Sequence, residues 1–98
     1  MAGQTLDTIA GPVATDAELI EGIARRDETS LAALYDRYHV LAFSLALRVV
    51  NDRGRAEDVV QDAFLSVWRK GASYAEARGS VKTWLTSIVR NRAIDLVR

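Results

Sequence analysis

His39 is the sole histidine. It stands between Tyr38 and Val40, with no Cys or Ser paired to it and no His-x-x-x-His spacing. A lone imidazole in such a setting is an ordinary helical residue. Glu57, Asp58 and Asp62 gather carboxylates. No second acidic cluster and no Gly-centred calcium loop accompanies them, so a solvated or partner-facing surface fits better than a metal site. No Gly-rich phosphate loop is present. The absence of cysteine excludes disulfides and thiolate metal sites. No nucleophile, base or metal constellation emerges, so neither an enzyme nor a cofactor is expected.

The residue types that remain are suited to binding. Arg78, Ser80, Lys82, Thr83 and Arg90 can meet phosphates, and Asn91 has the paired donor and acceptor that a base edge requires. Trp84 fits two roles. Its spacing to Leu85 and Ile88 is that of a core residue, yet an indole beside basic residues can also support an unstacked base. Asp95 can pair with Arg98 or buttress Asn91, four residues earlier. A second set, Asp58, Gln61, Asp62, Leu65 and Trp68, falls at i, i+3, i+4, i+7 and i+10, with Arg69 beside it. That spacing lines one side of a helix. Such an acidic surface with apolar members can dock on another protein, with aromatic anchors supplying most of the affinity. The alternative, left open by pattern alone, is that Trp68 folds into the core and the acids are merely hydrated.

Helices must position both sets. The chain has 98 residues, of which 49% are apolar and 27% charged, with one proline. This suits a single all-α domain, a small bundle of about four helices. Residues 1–15 are expected to form a flexible N-terminal tail and residues 16–98 the domain. Thr15 and Glu18 fit a capping box for a short helix ending near Arg26, with Leu19, Ile20 and Ile23 as its stripe. A longer helix is expected from about Ser30 to Val50, with an apolar stripe from Leu31 to Val49 wide enough to be central to the bundle. Asp52 is placed to cap a third helix, Arg53 to about Lys70, whose core stripe is Ala56, Val60, Ala63, Phe64 and Val67. Gly71 to Gly79 forms a loop, and Ser80 is the N-cap of a fourth helix that buries Val81, Trp84, Leu85, Ile88 and Val89. No stop signal follows, so the chain is expected to be part of a longer protein. The N-terminus lacks a basic segment followed by an apolar one, and no apolar run approaches the roughly 20 residues of a membrane span. The cytoplasm is the default expectation.

Net charge is zero, but its distribution is uneven. Residues 1–68 carry six Lys/Arg against eleven Asp/Glu, whereas residues 69–98 carry seven against two. Asymmetry of this kind points to nucleic acid, the alternative being a dipolar surface with no ligand.

The stretch AEDVVQDAFLSVW, then a loop, then TWLTSIVRNRAIDLVR, resembles region 2 of the extracytoplasmic-function group of bacterial sigma-70-type sigma factors. LAALYDRYHVLAFSLALRVVND is similar to the first conserved helix of that domain, and the resemblance covers about residues 17–98. It implies that the face bearing Asp58, Gln61, Asp62, Leu65 and Trp68, with Arg69 adjacent, holds the clamp helices of the RNA polymerase β′ subunit. The clamp surface is basic, which suits an acidic partner. It further implies that the last helix and its preceding loop recognise the promoter −10 element, keep the non-template strand single and hold a flipped-out base. The matching positions run from Tyr74 through Arg78 and Gly79 to Ser80, then Lys82, Thr83, Trp84, Ser87, Ile88, Arg90 and Asn91. Many relatives are held inactive by an anti-sigma factor, so such a partner is expected too. The second helical domain of the family, which reads the −35 element, has no counterpart in this sequence. Poor binding to duplex promoter DNA is therefore expected. The competing readings are a helical adaptor without affinity for single strands and, more remotely, an enzyme.

Overall fold

The structure is a computed structural model that describes residues 13–71, 74 and 79–98. Among these, four helices follow in order: α1 (Asp16–Ala24), α2 (Glu28–Val50), α3 (Arg53–Lys70) and α4 (Val81–Val97). Helices α2, α3 and α4 pack against one another, and α1 lies mainly across α2.

Local chemistry sets each helix start. The Thr15 hydroxyl accepts from the Glu18 amide at 3.1 Å, and the Glu18 carboxylate accepts from the Thr15 amide at 2.8 Å, closing the expected capping box. Asp52 accepts from the Arg55 amide at 2.8 Å, and Ser80 from the Thr83 amide at 3.1 Å. The turn between α2 and α3 is only Asn51 and Asp52. Asn51 takes the left-handed conformation at φ 55, which its short polar side chain tolerates, and its amide returns to the Leu47 carbonyl at 2.8 Å.

Two boundaries differ from expectation. Helix α1 stops at Ala24, because the amide of Arg26 bonds the Ile23 carbonyl at 2.9 Å and that of Asp27 bonds the Gly22 carbonyl at 2.9 Å. These are the two bonds of a Schellman ending, with Arg26 in the left-handed position at φ 66. Helix α2 starts at Glu28, earlier than Ser30, because Asp27 is its cap. The Asp27 carboxylate accepts from the Thr29 amide at 3.0 Å, the Thr29 hydroxyl at 2.7 Å and the Ser30 hydroxyl at 3.0 Å. These donors, led by the Thr29 hydroxyl and then Ser30, hold its carboxyl below the usual aspartate range.

Alanines lie fully or almost fully buried in three helices, at Ala42 and Ala46, Ala56 and Ala63, and Ala93. Small side chains at the crossings let the helix axes approach closely. Ile23, Leu34, Leu85, Val67 and Val89 are the largest side chains sealed inside. The α3 stripe is all buried as expected, and Val59 and Ser66 join it. The stripe of α2 is shallower than its sequence suggests. Leu31, Tyr38, Leu45 and Val49 are only partly covered, Tyr35 is exposed, and the buried side is Leu34, Ala42, Ala46 and Val50.

Candidate nucleic-acid interface

The buried side of α4 is Val81, Leu85, Val89 and Ala93. By helical register Thr83, Ser87, Arg90, Asn91 and Arg98 share the opposite side, and all five are exposed. Lys82 is exposed in the first turn but lies off this strip, nearer the buried side. Trp84 and Ile88 flank the strip, half-buried and packed against the core. One part of the Trp84 indole is packed into the core, and the rest borders the polar strip. The Tyr74 ring lies 5.1 Å from it, tilted by 56°, and the Tyr74 hydroxyl donates to the Gly79 carbonyl at 2.6 Å. The two aromatics form one cluster at the head of α4. Arg78 lies outside the described residues.

The hydroxyls on the strip are oriented by the helix itself. Ser87 donates to the Thr83 carbonyl at 2.9 Å, which leaves its lone pairs outward to accept from a ligand. Thr86 makes the corresponding bond at 3.1 Å. Ser80 is the α4 cap and also donates to the Thr83 hydroxyl at 3.1 Å, so its first task is structural. Gly79 stands at φ 115, a conformation that favours glycine, just before the cap. Among the described residues, Asp95 is bonded to neither Arg98 nor Asn91, so both pairings suggested by the sequence are absent from the structure. Their spacing permits contact, but the exposed side chains remain in solvent.

A second strip runs along α3. Asp58, Gln61, Asp62, Leu65 and Arg69 are exposed on the side opposite the buried stripe. Leu65 is 48% exposed, unusual for a large aliphatic side chain in a small bundle. Trp68 closes the strip at its C-terminal end and is half-buried, resting on the core at one side. A cleft of about 250 Å³ separates the strip from the end of α4, lined by Asp58, Val59, Asp62, Arg92, Asp95 and Leu96. A hollow of about 360 Å³ between α2 and α3 meets the strip only at Gln61. His39 lines that hollow, stacked on Tyr35 with ring centroids 4.9 Å apart and its Nδ1 3.0 Å from the Tyr35 carbonyl oxygen. Among the described residues no group of three or more His, Cys, Asp or Glu side chains could hold a metal ion.

Three further side-chain links, outside both sequence-derived sets, tie the helices together. Arg92 on α4 donates to the buried Ser66 hydroxyl of α3 at 2.9 Å, tying α3 to α4. The sign available in the sequence was a serine at a core position of α3, whose hydroxyl required a partner. Arg26 donates to the Trp68 carbonyl at 2.6 Å. Asp16 accepts from Arg37 at 2.7 Å and from the Tyr38 hydroxyl, which joins α1 to α2. Burial, reinforced by the bond to Asp16, pushes the Tyr38 phenol up to about 12.

Comparison with known proteins converges on one family. The model of sigma-70 region 2 matches residues 34–98. An ECF RNA polymerase sigma factor, SigK, from Mycobacterium sp. (strain KMS) is 40% identical over 87 residues, which are 88% of this chain and 45% of the relative. A SigK from Mycolicibacterium vanbaalenii is 39% identical over 80 residues, 82% of this chain and 41% of the relative. The chain thus spans less than half the length of these curated relatives. An NMR structure of an engineered region 2 of sigmaE in complex with GTAAAA is similar, with a TM-score of 0.77 and 32% identity over 86% of each chain. The match extends from Leu34 through both strips to Arg98, and the chain belongs to the sigma-70 region 2 family, as the region 2 domain of an ECF sigma factor.

Proposed function

We propose that this domain docks on RNA polymerase through α3 and opens promoter DNA through α4. In this reading the α3 strip sits on the basic clamp helices of the β′ subunit, with Leu65 and Trp68 as apolar anchors and Asp58 and Asp62 as the acidic contacts one to three turns earlier on the strip. The α4 strip and the aromatic cluster at its head take the unpaired non-template strand of the −10 element. The observation that carries the reading is that two solvent-facing strips of opposite character occupy different helices of one small core. A single rigid body can therefore hold protein with one and nucleic acid with the other.

No covalent chemistry is required. Extruding a base costs a few kcal/mol in lost stacking and pairing. A site that accepts the base only when it is unstacked offsets that cost and shifts the duplex toward the open state. Lys82 and Arg90 would neutralise phosphates. Asn91 would pair with a base edge, Ser87 would accept from one, and Trp84 with Tyr74 would support a displaced ring. The similar region 2 whose structure contains GTAAAA makes that strand the natural first probe. The acidic α3 strip would also be the surface that an anti-sigma factor covers, since masking it removes the domain from polymerase. The work of such a domain lies in the cytoplasm, and among the described residues no helix is long and apolar enough to cross a membrane.

The test is a pair of titrations on the Asn91→Ala variant. Affinity for a −10-like single strand is expected to fall by about 1–3 kcal/mol, with core polymerase binding unchanged. Loss of polymerase binding in that variant would contradict the division of labour between the helices.

A further inference from the structure

Arg26 occupies a backbone position where glycine is the usual residue. It is the left-handed residue of the Schellman ending of α1, at φ 66. A side chain kept at such a position is a reason to ask what it does. From there Arg26 reaches across to the far end of α3. Its guanidinium donates to the Trp68 carbonyl at 2.6 Å and lies over the Trp68 ring, 5.1 Å from the centroid. The Trp68 carbonyl is among the last four of α3, which have no partner within the helix. The positive charge also complements the negative end of the α3 dipole.

A second contact fixes the same corner. A Cβ on Gly71 would come within 2.7 Å of the Ile23 Cγ2, so the end of α1 and the end of α3 are in direct contact. The guanidinium is thereby presented to the indole by two packed helix ends. Arg26 thus contacts Trp68 twice, at its carbonyl and over one face of its ring.

We propose that Arg26 is a positioning residue for partner binding: clasping the carbonyl and ring of Trp68, it sets the aromatic anchor of the α3 strip in its docking orientation. This deepens, and rests on, the reading that α3 meets RNA polymerase. It makes the turn that ends α1, which carries none of the strip, a determinant of polymerase affinity.

The experiment compares Arg26→Gly, Arg26→Lys and a control, Asp62→Arg with Leu65→Ala, each in the full 98-residue chain. Three quantities are read: affinity for core RNA polymerase, Tm, and the Trp68 indole N–H resonance, assigned by its persistence in Trp84→Phe. Glycine relieves the left-handed backbone while deleting the clasp. Arg26→Gly is therefore expected to keep or raise Tm, move the Trp68 resonance and weaken polymerase binding by about threefold to tenfold. Arg26→Lys keeps the charge but loses the planar group that spans carbonyl and ring, and is expected to weaken binding as well. Wild-type affinity in Arg26→Gly, with binding lost in the control, would overturn the proposal and leave the α3 reading standing. Wild-type affinity in the control would overturn both. Weaker binding with lowered Tm and an unmoved Trp68 resonance would assign Arg26 a purely structural role and overturn the proposal. Should Arg26→Gly not fold, Arg26→Lys decides by the same readouts, and wild-type binding there would overturn it.

Discussion

Asp27 serves two helices: its amide closes the α1 Schellman ending on the Gly22 carbonyl, and its carboxylate caps the start of α2. Its carboxyl is more acidic in the folded chain than in the unfolded one, so the folded state binds fewer protons in the acid range. Its contribution is therefore full above the unfolded carboxylate range and is lost as pH falls through the folded value. Tm should drop on acidification through and below about pH 4, and the drop should be shallower in Asp27→Asn, which caps without titrating. Equal acid slopes for both proteins would remove Asp27 from the account. Side-chain roles of this sort were legible in the sequence where they are local. Thr15, Asp52 and Ser80 cap residues no more than three positions away, and each was identifiable from type and spacing. Arg26 with Trp68 was not, because the partners lie 42 residues apart and meet only after α1 and α3 pack. The same holds for Arg92 and Ser66, 26 apart.

Each helix was legible where its period was clean. The α3 stripe recurs at three and four residues, and its outer strip followed by subtraction. Trp68 stayed ambiguous because it sits at the border of the two sides, where period alone assigns nothing. The ends of α1 and α2 shifted because the ending at Arg26 is set by backbone geometry, with no glycine to announce it. At this scale the account makes two predictions. Asp62→Arg with Leu65→Ala should abolish capture of the β′ clamp without changing Tm, since both side chains are exposed; retained capture in a pull-down would refute it. Gly22→Ala should destabilise by about 1–3 kcal/mol. The reason is steric: its Cβ would fall 2.0 Å from the Ser30 Oγ where α1 crosses α2. Urea unfolding measures that loss, and a neutral result would show that the crossing has room.

The whole molecule separates two surfaces by charge and by helix while sharing one core. The acidic excess before residue 69 and the basic excess after it were visible in the sequence; in the structure Asp58 and Asp62 stand exposed on the α3 strip, and Arg90 and Arg98 on the α4 strip. What the sequence did not disclose is that Arg92 of α4 bonds the buried Ser66 hydroxyl of α3, adding a polar contact to the packing between the two helices. Electrostatics at this scale predict a steep salt dependence of strand binding. Removing one phosphate-binding cation, as in Arg90→Ala, should flatten the plot of log affinity against log salt by about 0.7. An unchanged slope would place Arg90 away from the backbone of the strand.

One titration bears on the central claim more directly than any other: single-stranded DNA of sequence GTAAAA, and single-base variants of it, added to the 98-residue chain at low salt and followed by amide NMR. The account predicts saturable binding that differs among the variants, with the largest shifts at Tyr74, Thr83, Trp84, Ser87, Arg90 and Asn91, and with Asp58, Asp62 and Leu65 unmoved. Absence of binding at low salt, or shifts concentrated on α3, would contradict it.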